Sequence, residues 1–359
     1  MYLKQLTLTQ YKNISSKTFN FSPKINCFIG DNGIGKSNII DSIYHLAFGK
    51  SYFNPIAIQN IQHDKDFFVI EGRFEKMGKK EKIICSLKKG QKKIIKRNGK
   101  TYKKLSEHIG LIPSVIISPA DSDLISDGSS ARRKFMDGVI GQIDTAFLQD
   151  LLEYNKIISQ RNALLKYFAL NNTFDQETLY IYDHQLIKRS DPIYKKRLTF
   201  MKSFVPVFNY HYKNISEGKE NISLEYVSQL HEKSHEELLK NSLPKDRILQ
   251  HTTQGVHKDD INFLLEGQPI KKFGSQGQQK TFLVALKFAQ FDFLKKQIGA
   301  SPILLLDDAF DKLDQKRVTQ IVSLVDQDDF GQIFITDTHE QRTIDALGES
   351  KSNYQIFKI

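Results

Sequence analysis

The stretch that most constrains what this chain can become is Gly30-Asp31-Asn32-Gly33-Ile34-Gly35-Lys36-Ser37, which fits G-x-x-x-x-G-K-[ST], the pattern of a phosphate-binding loop. Its three glycines let the backbone turn tightly and lie against a polyphosphate with no Cβ in the way. The loop amides then point inward, where a following helix adds the positive end of its dipole. Lys36 is placed to reach the β- and γ-phosphates of ATP, and the Ser37 hydroxyl to ligate Mg²⁺. Such a loop needs a strand before it and a helix after it. Ile25-Asn26-Cys27-Phe28-Ile29 reads as a short buried strand, and Ile39, Ile40, Ile43, Leu46 and Ala47 recur at helical spacing. All eight loop residues are therefore candidate ATP ligands, in an α/β fold.

A second apolar strand, Ile303-Leu304-Leu305-Leu306, ends in two carboxylates, Asp307 and Asp308. Burial accounts for the leucines but not for paired acids at the carboxyl end of a strand, the edge of a parallel sheet where ligands bind. Asp307 is placed to hold Mg²⁺ together with Ser37. Asp308 is the candidate catalytic residue, orienting or deprotonating the attacking water.

At 359 residues the chain has room for two lobes. No apolar run approaches the roughly 18 residues of a membrane span, the start of the chain lacks the pattern of a signal peptide, and Cys27 and Cys85 form no C-x-x-C pair. A reduced, cytoplasmic protein without a membrane partner is the expectation. The net charge of +11 favours a polyanion as partner. It is concentrated: between Lys76 and Lys104 there are 13 Lys or Arg and one acid, Glu81. Lysines on an edge strand block unwanted pairing, and they also suit contact with the phosphates of DNA.

Residues 1–118 read as one α/β lobe with an antiparallel β appendage, its hairpins marked by Lys88-Lys89-Gly90 and Arg97-Asn98-Gly99-Lys100. From 119 to 250 the apolar residues move to three- and four-residue steps, as in Phe147, Leu148, Leu151, Leu152 and Tyr154, which predicts an inserted, mostly helical domain. Residues 251–359 return to α/β, with strands at Ile261–Leu265, Pro302–Leu306 and Ile333–Thr336 and a long amphipathic helix from Lys280 to Lys296.

That helix is opened by Phe273-Gly274-Ser275-Gln276-Gly277-Gln278-Gln279, which resembles the signature loop of ABC-type ATPases. In that class a serine and a helix N-terminus meet the γ-phosphate bound by the opposite subunit, so the resemblance adds Ser275, Gly277 and Gln278 to the ATP ligands. Asp311-Lys312-Leu313-Asp314 resembles the class's D-loop, and His339 stands where a switch histidine would be. Two heads facing each other would close two sites at once, with ATP as the glue of a two-fold homodimer. The fold class is then an ABC-type P-loop ATPase head, split in sequence by the helical insert.

The resemblance narrows to the RecF family of bacterial replication and recombinational repair proteins. It is carried by Gln10-Tyr11-Lys12-Asn13, the loop and helix from Gly30 to Tyr44, Ser118-Pro119-Ala120-Asp121, Ala131-Arg132-Arg133-Lys134-Phe135-Met136-Asp137 and Gln160-Arg161-Asn162-Ala163-Leu164-Leu165. Further along come Gln254-Gly255-Val256-His257-Lys258-Asp259-Asp260, Gly274 to Gln279 and Leu304 to Asp308. The resemblance implies an ATP-dependent homodimer with slow ATPase activity that binds single-stranded, gapped or junction DNA. It also implies that the protein helps a recombinase load, together with the family's mediator proteins. Some positions depart from the family pattern. Lys12 and Lys258 stand where Arg is usual, Val256 where Pro is, and Ala120 where Glu is, at the place of the Q-loop glutamine of ABC relatives. Asp121 is the candidate substitute for that glutamine. Two other classes share the loop. An ABC transporter subunit would carry a much shorter helical insert, and an ABC ATPase fused to a nuclease would need more than the 45 residues that follow Asp314.

Overall fold

The structure is a computed structural model, and it describes residues 1–76, 78–218, 220–308, 331–341, 344–345 and 354–359. In chain order the strands and helices begin with β1 (Tyr2–Tyr11), β2 (Ile14–Asn20), β3 (Ile25–Ile29) and α1 (Lys36–Phe48). Next come β4 (Phe67–Lys76), β5 (Lys79–Lys88), β6 (Ile94–Arg97), β7 (Lys100–Thr101) and β8 (Ser114–Ile117). The helices α2 (Asp123–Ser126), α3 (Ser129–Ile143), α4 (Thr145–Leu170) and α5 (Gln176–Ser216) follow, then β9 (Ile222–Val227) and α6 (His235–Leu249). The rest is β10 (Asp260–Leu265), β11 (Gln268–Pro269), α7 (Ile270–Phe273), α8 (Gln276–Ile298), β12 (Ile303–Leu306), β13 (Ile333–Asp337) and β14 (Tyr354–Lys358). The chain divides into two compact units, Met1–Asp121 with Leu283–Ile359, and Ser122–Phe282.

The first unit holds two sheets around one core. An antiparallel sheet runs β2-β1-β4-β5-β6-β7, and a parallel sheet runs β14-β3-β13-β12-β8. The N-terminal hairpin and the basic hairpins thus form a single sheet, not a head with a separate appendage. Helix α1 touches β4 and β5 of one sheet and β8, β12 and β13 of the other. Its Ile39, Ile40, Ile43 and Leu46 are fully buried, each contributing about 1.5–3 kcal/mol of apolar burial. Phe19, Phe21, Phe28, Phe334 and Phe357 interlock beside it, Phe21 edge-on to Phe334 at 4.8 Å between centroids. The turn at Asn98-Gly99 has positive φ at both residues (49° and 84°), the two-residue hairpin geometry that Asn-Gly favours.

The second unit is a helical framework with a small sheet, β11-β10-β9. The second crossing between units falls at 282/283, some thirty residues later than the boundary at 250 that the helical periodicity predicts. The reason is pairing: Asp260–Leu265 lines up antiparallel with Ile222–Val227 and so joins the insert rather than the ATPase sheet. The helix expected to be amphipathic is also different in kind. From Thr281 to Leu294 buried residues fall on all its faces, and they include Lys287 and Gln290. A helix buried all round is a core helix.

The stretches around Arg132, Arg161 and His257, which carried much of the family resemblance, are keystones of this unit. Arg197, 1% exposed, forks onto Asp137 (2.9 and 2.9 Å) and reaches Asp259 and the Val256 carbonyl (both 2.7 Å). Arg132 forks onto Asp260, and the buried Arg161 takes Asp183 (2.6 Å), Asp246 (2.8 Å) and Thr252 (2.9 Å). Gly255 has φ 120°, and a Cβ there would lie 2.5 Å from the His235 ring and 2.6 Å from the Tyr154 hydroxyl. Only glycine fits that crossing.

Candidate functional site

β3, β13 and β12 are neighbours in the parallel sheet, and their carboxyl ends lie level. The loop after β3 carries the glycines, and the residues just past β12 are Asp307 and Asp308. Between them stands Thr336, the penultimate residue of β13. Brought together this way, the two halves read separately from the sequence become one site.

Within the loop, Asp31, Asn32, Gly33 and Ile34 are exposed, while Gly35 and Lys36 are buried. The Lys36 ammonium folds back onto the carbonyls of Gly30 (2.8 Å) and Asp31 (2.9 Å), so it is held over the loop by groups that a phosphate would outcompete. Gly35 (φ 116°) caps α1, and a Cβ on it would fall 2.7 Å from the Asn13 side chain. Asn13 staples the loop to the helix. Its amide donates to the Ile34 carbonyl (2.9 Å), and its oxygen accepts from the Asn38 side chain (2.8 Å).

The Ser37 hydroxyl faces the Asp307 carboxylate and favours its ionised form. Thr336 Oγ1 donates to the same carboxylate (2.9 Å) and accepts the Asp308 amide (2.9 Å). Burial pushes the Asp307 carboxyl up to about 6; the hydroxyls of Ser37 and Thr336 oppose this, and the charges of Asp308 and Asp41 add to it. Asp308 sits at φ 45°, a left-handed backbone that costs a non-glycine residue about 1–3 kcal/mol and clusters at functional sites. A hydroxyl facing a buried carboxylate offers hard oxygen donors of the kind Mg²⁺ takes. The donor chemistry of the site therefore fits that cation. Thr336 joins the candidate site without any signal in the sequence, since a threonine in a buried strand carries none of its own.

Behind the loop, Asp41 of α1 is fully buried and accepts from the Tyr11 hydroxyl (2.7 Å), the Ser51 hydroxyl (2.6 Å) and the Tyr52 amide (2.6 Å), with Lys12 at 2.6 Å. Lys12 therefore supports the loop helix through Asp41. Asp121, the proposed stand-in for a Mg²⁺-sensing glutamine, is 3% exposed and accepts from Tyr52 (2.5 Å), Lys287 (2.5 Å) and the Ser118 amide (2.8 Å). These partners engage both carboxylate oxygens in a buried ion pair. His339 lies exposed just past β13, in a turn where the Asp337 carboxylate accepts the amides of Thr338 and His339. The Asp311–Asp314 stretch lies outside the described residues.

In the second unit, Ser275 and Gln278 form a capping box at the start of α8. The Ser275 amide donates to Gln278 Oε1 (2.7 Å), and the Gln278 amide to Ser275 Oγ (3.2 Å). Ser275 is exposed at the N-terminus of a 23-residue helix. The Gln278 side chain is turned inward, donating to Glu220 (2.8 Å), so it orders the loop and does not present its amide to a phosphate. Gly277 lies one residue further into the helix than Gln276.

The lysines of the antiparallel sheet are largely exposed, Lys79, Lys80, Lys88, Lys89, Lys92 and Lys100 among them. The acid among them, Glu81, is clasped by Arg97 (2.9 and 2.6 Å). Both cysteines are free and buried, and burial pushes each thiol up to about 12. Among the described residues no helix is long and apolar enough to cross a membrane.

A family model described as the RecF/RecN/SMC N terminal domain matches residues 2–358. The chain is 56% identical over 359 residues to the DNA replication and repair protein RecF of Flavobacterium johnsoniae, covering 100% of both. It is 48% identical over 360 residues to the RecF of Bacteroides fragilis, covering 100% of this chain and 96% of that one. Among solved structures it resembles one described as the recombination mediator protein RecF-ATPrS in the RecFOR pathway (TM-score 0.90, 29% identity, 100% and 96% covered). It also shares its fold with an Smc head bound to the C-winged helix domain of ScpA (TM-score 0.56, 15% identity, 96% and 92% covered).

Proposed function

The chain belongs to the RecF family of DNA replication and repair proteins, built on the ABC-type ATPase fold, and from that premise we propose that it is an ATP-gated, DNA-binding homodimer. The observation that carries this reading is the placing of the phosphate loop and the acidic strand end at neighbouring carboxyl ends of one parallel sheet, with the Ser37 hydroxyl facing the Asp307 carboxylate.

The loop amides and Lys36 bind the polyphosphate, and α1 directs its positive end at it. Ser37 and Asp307 would hold Mg²⁺, which when bound would supply positive charge against the phosphates. Asp308, fixed through its amide by Thr336, orients the attacking water and receives its proton. The exposed Ser275 and the N-terminus of α8 meet the γ-phosphate of the opposite copy, so dimerisation follows ATP and slow hydrolysis undoes it. Gln278 acts one step back, holding Ser275 in place. In the cytoplasm such a dimer engages gapped or single-stranded DNA and, with the family's mediator proteins, assists a recombinase.

The test is equilibrium binding of a gapped duplex with and without ATP and Mg²⁺. Wild-type protein should bind more tightly with both. Charge reversal of Lys88, Lys89, Lys92 and Lys93 should weaken binding and flatten the slope of log affinity against log salt, by about 0.9 for each phosphate that the protein no longer neutralises. DNA affinity indifferent to ATP would sink the gating claim, and an unchanged slope would return these lysines to edge protection.

A further inference from the structure

The solvent face of the antiparallel sheet carries a feature that the hairpin-tip lysines do not explain. Hydrogen-bonded neighbours align Asn20 with Gln5, Gln5 with Arg73, and Arg73 with Lys82, and Lys82 exchanges two backbone and side-chain bonds with Asn98. These five side chains make a row perpendicular to the strands, about 19 Å long at one strand spacing per step. Beside the row lies a cavity of about 260 Å³, lined also by Lys4, Glu75, Lys80 and Glu81, with the buried Phe74 as part of its wall.

A β-bulge builds this hollow. The register between β1 and β4 shifts between Leu3 and Gln5. Leu3 and Leu6 are buried while Lys4 and Gln5, adjacent in sequence, are both on the open side. Strict alternation would send one of them into the core; the bulge re-aims Lys4 toward the polar face, as bulges do beside binding sites.

The charges are unevenly engaged. Glu81 is held by Arg97 and Asn98, and Glu75 accepts from the Tyr2 hydroxyl. Lys82 and Arg73 Nε both pair with Glu71, at 2.9 and 3.1 Å. The ammonium groups of Lys4 and Lys80 and the terminal nitrogens of Arg73 have no partner among the described residues. A planar fork and two point charges around a polar hollow suit a tetrahedral oxyanion.

Building on the proposed binding of DNA, we infer that this hollow is a phosphate subsite, filled by one backbone phosphate of the nucleic acid. It is a separate contact from the lysines near the other end of β5: Lys80 and Lys88 are eight residues apart on one strand, roughly 27 Å.

The experiment compares wild type, Lys4→Ala/Lys80→Ala and Arg73→Lys, each first checked for unchanged ATP binding. On a gapped duplex the double variant should bind about tenfold more weakly, the scale of one charge-assisted contact. Its salt slope should be flatter by about 0.9. Arg73→Lys, which keeps charge and loses the fork, should weaken binding with the slope preserved. If wild type binds DNA and the double variant shows the same affinity and slope, the subsite is refuted and DNA binding by the protein stands. If wild type binds no DNA, the proposed function fails, and calorimetric titration with inorganic phosphate decides the hollow. Phosphate binding abolished in the double variant keeps it as a free-phosphate site; no phosphate binding refutes it.

Discussion

The carboxyl of Asp307, pushed up to about 6 by burial, makes nucleotide binding depend on pH in a calculable way. Mg²⁺ needs the carboxylate, so below pH 6 a proton must leave before the cation can be held. At pH 5, one unit below that value, about one site in eleven is ionised, and at pH 7.5 nearly all are. The cation-dependent affinity for ATP should therefore fall about tenfold between pH 7.5 and 5, or about 1.4 kcal/mol. The sign for stability follows from the same shift. A carboxyl whose folded pKa is raised contributes most below the ordinary carboxylate range, and that contribution is lost as pH rises through 6. Mg²⁺-ATP should thus stabilise the protein more at pH 7.5 than at pH 5. The assay is equilibrium titration of ATP at fixed free Mg²⁺ from pH 5 to 8, for wild type and Asp307→Asn. The terminal phosphate of ATP titrates in the same range, so the difference in pH slope between the two proteins is the readout. Equal slopes would refute the assignment of Asp307 as the cation's carboxylate.

Asp308→Asn should retain Mg²⁺-ATP binding while lowering turnover at least tenfold and prolonging the dimer on sizing columns; normal hydrolysis would remove Asp308 from the catalytic role. Arg197→Met would leave Asp137 and the buried Asp259 without their cation, lowering the opening free energy of the second unit by about 3–5 kcal/mol, read by hydrogen exchange in α3 and α5. Unchanged protection there would show that the pair contributes little.

The phosphate loop was legible because its chemistry admits few residue types: Gly35 must avoid Asn13 and hold a left-handed φ, and Lys36 must reach over the loop. The strand order was not legible. Asp260–Leu265 has a strand's alternation, but nothing local says that it pairs with Ile222–Val227 rather than with the ATPase sheet. Long-range pairing also hid the roles of charged residues. Arg161, Arg197 and Lys287 look like surface cations until their carboxylates, 22 to 166 residues away, are brought to them. The capping box at Ser275 and Gln278 was readable from S-x-x-Q spacing, and it reassigns Gln278 from ligand to support.

In the proposed dimer ATP joins two copies through a phosphate loop on one and Ser275 on the other. The direct measurement is sizing with light scattering in ATP and Mg²⁺, for wild type, Ser275→Arg, Lys36→Ala and an equal mixture of the two variants. Arginine at 275 places a bulky cation at a positive helix end and leaves Lys36, Ser37 and Asp307 untouched. Wild type should dimerise, and each variant alone should stay monomeric, Ser275→Arg while still binding ATP. The mixture should recover dimers, because such a pair keeps one intact composite site. An ATP-dependent dimer of Ser275→Arg as stable as wild type would contradict the claim.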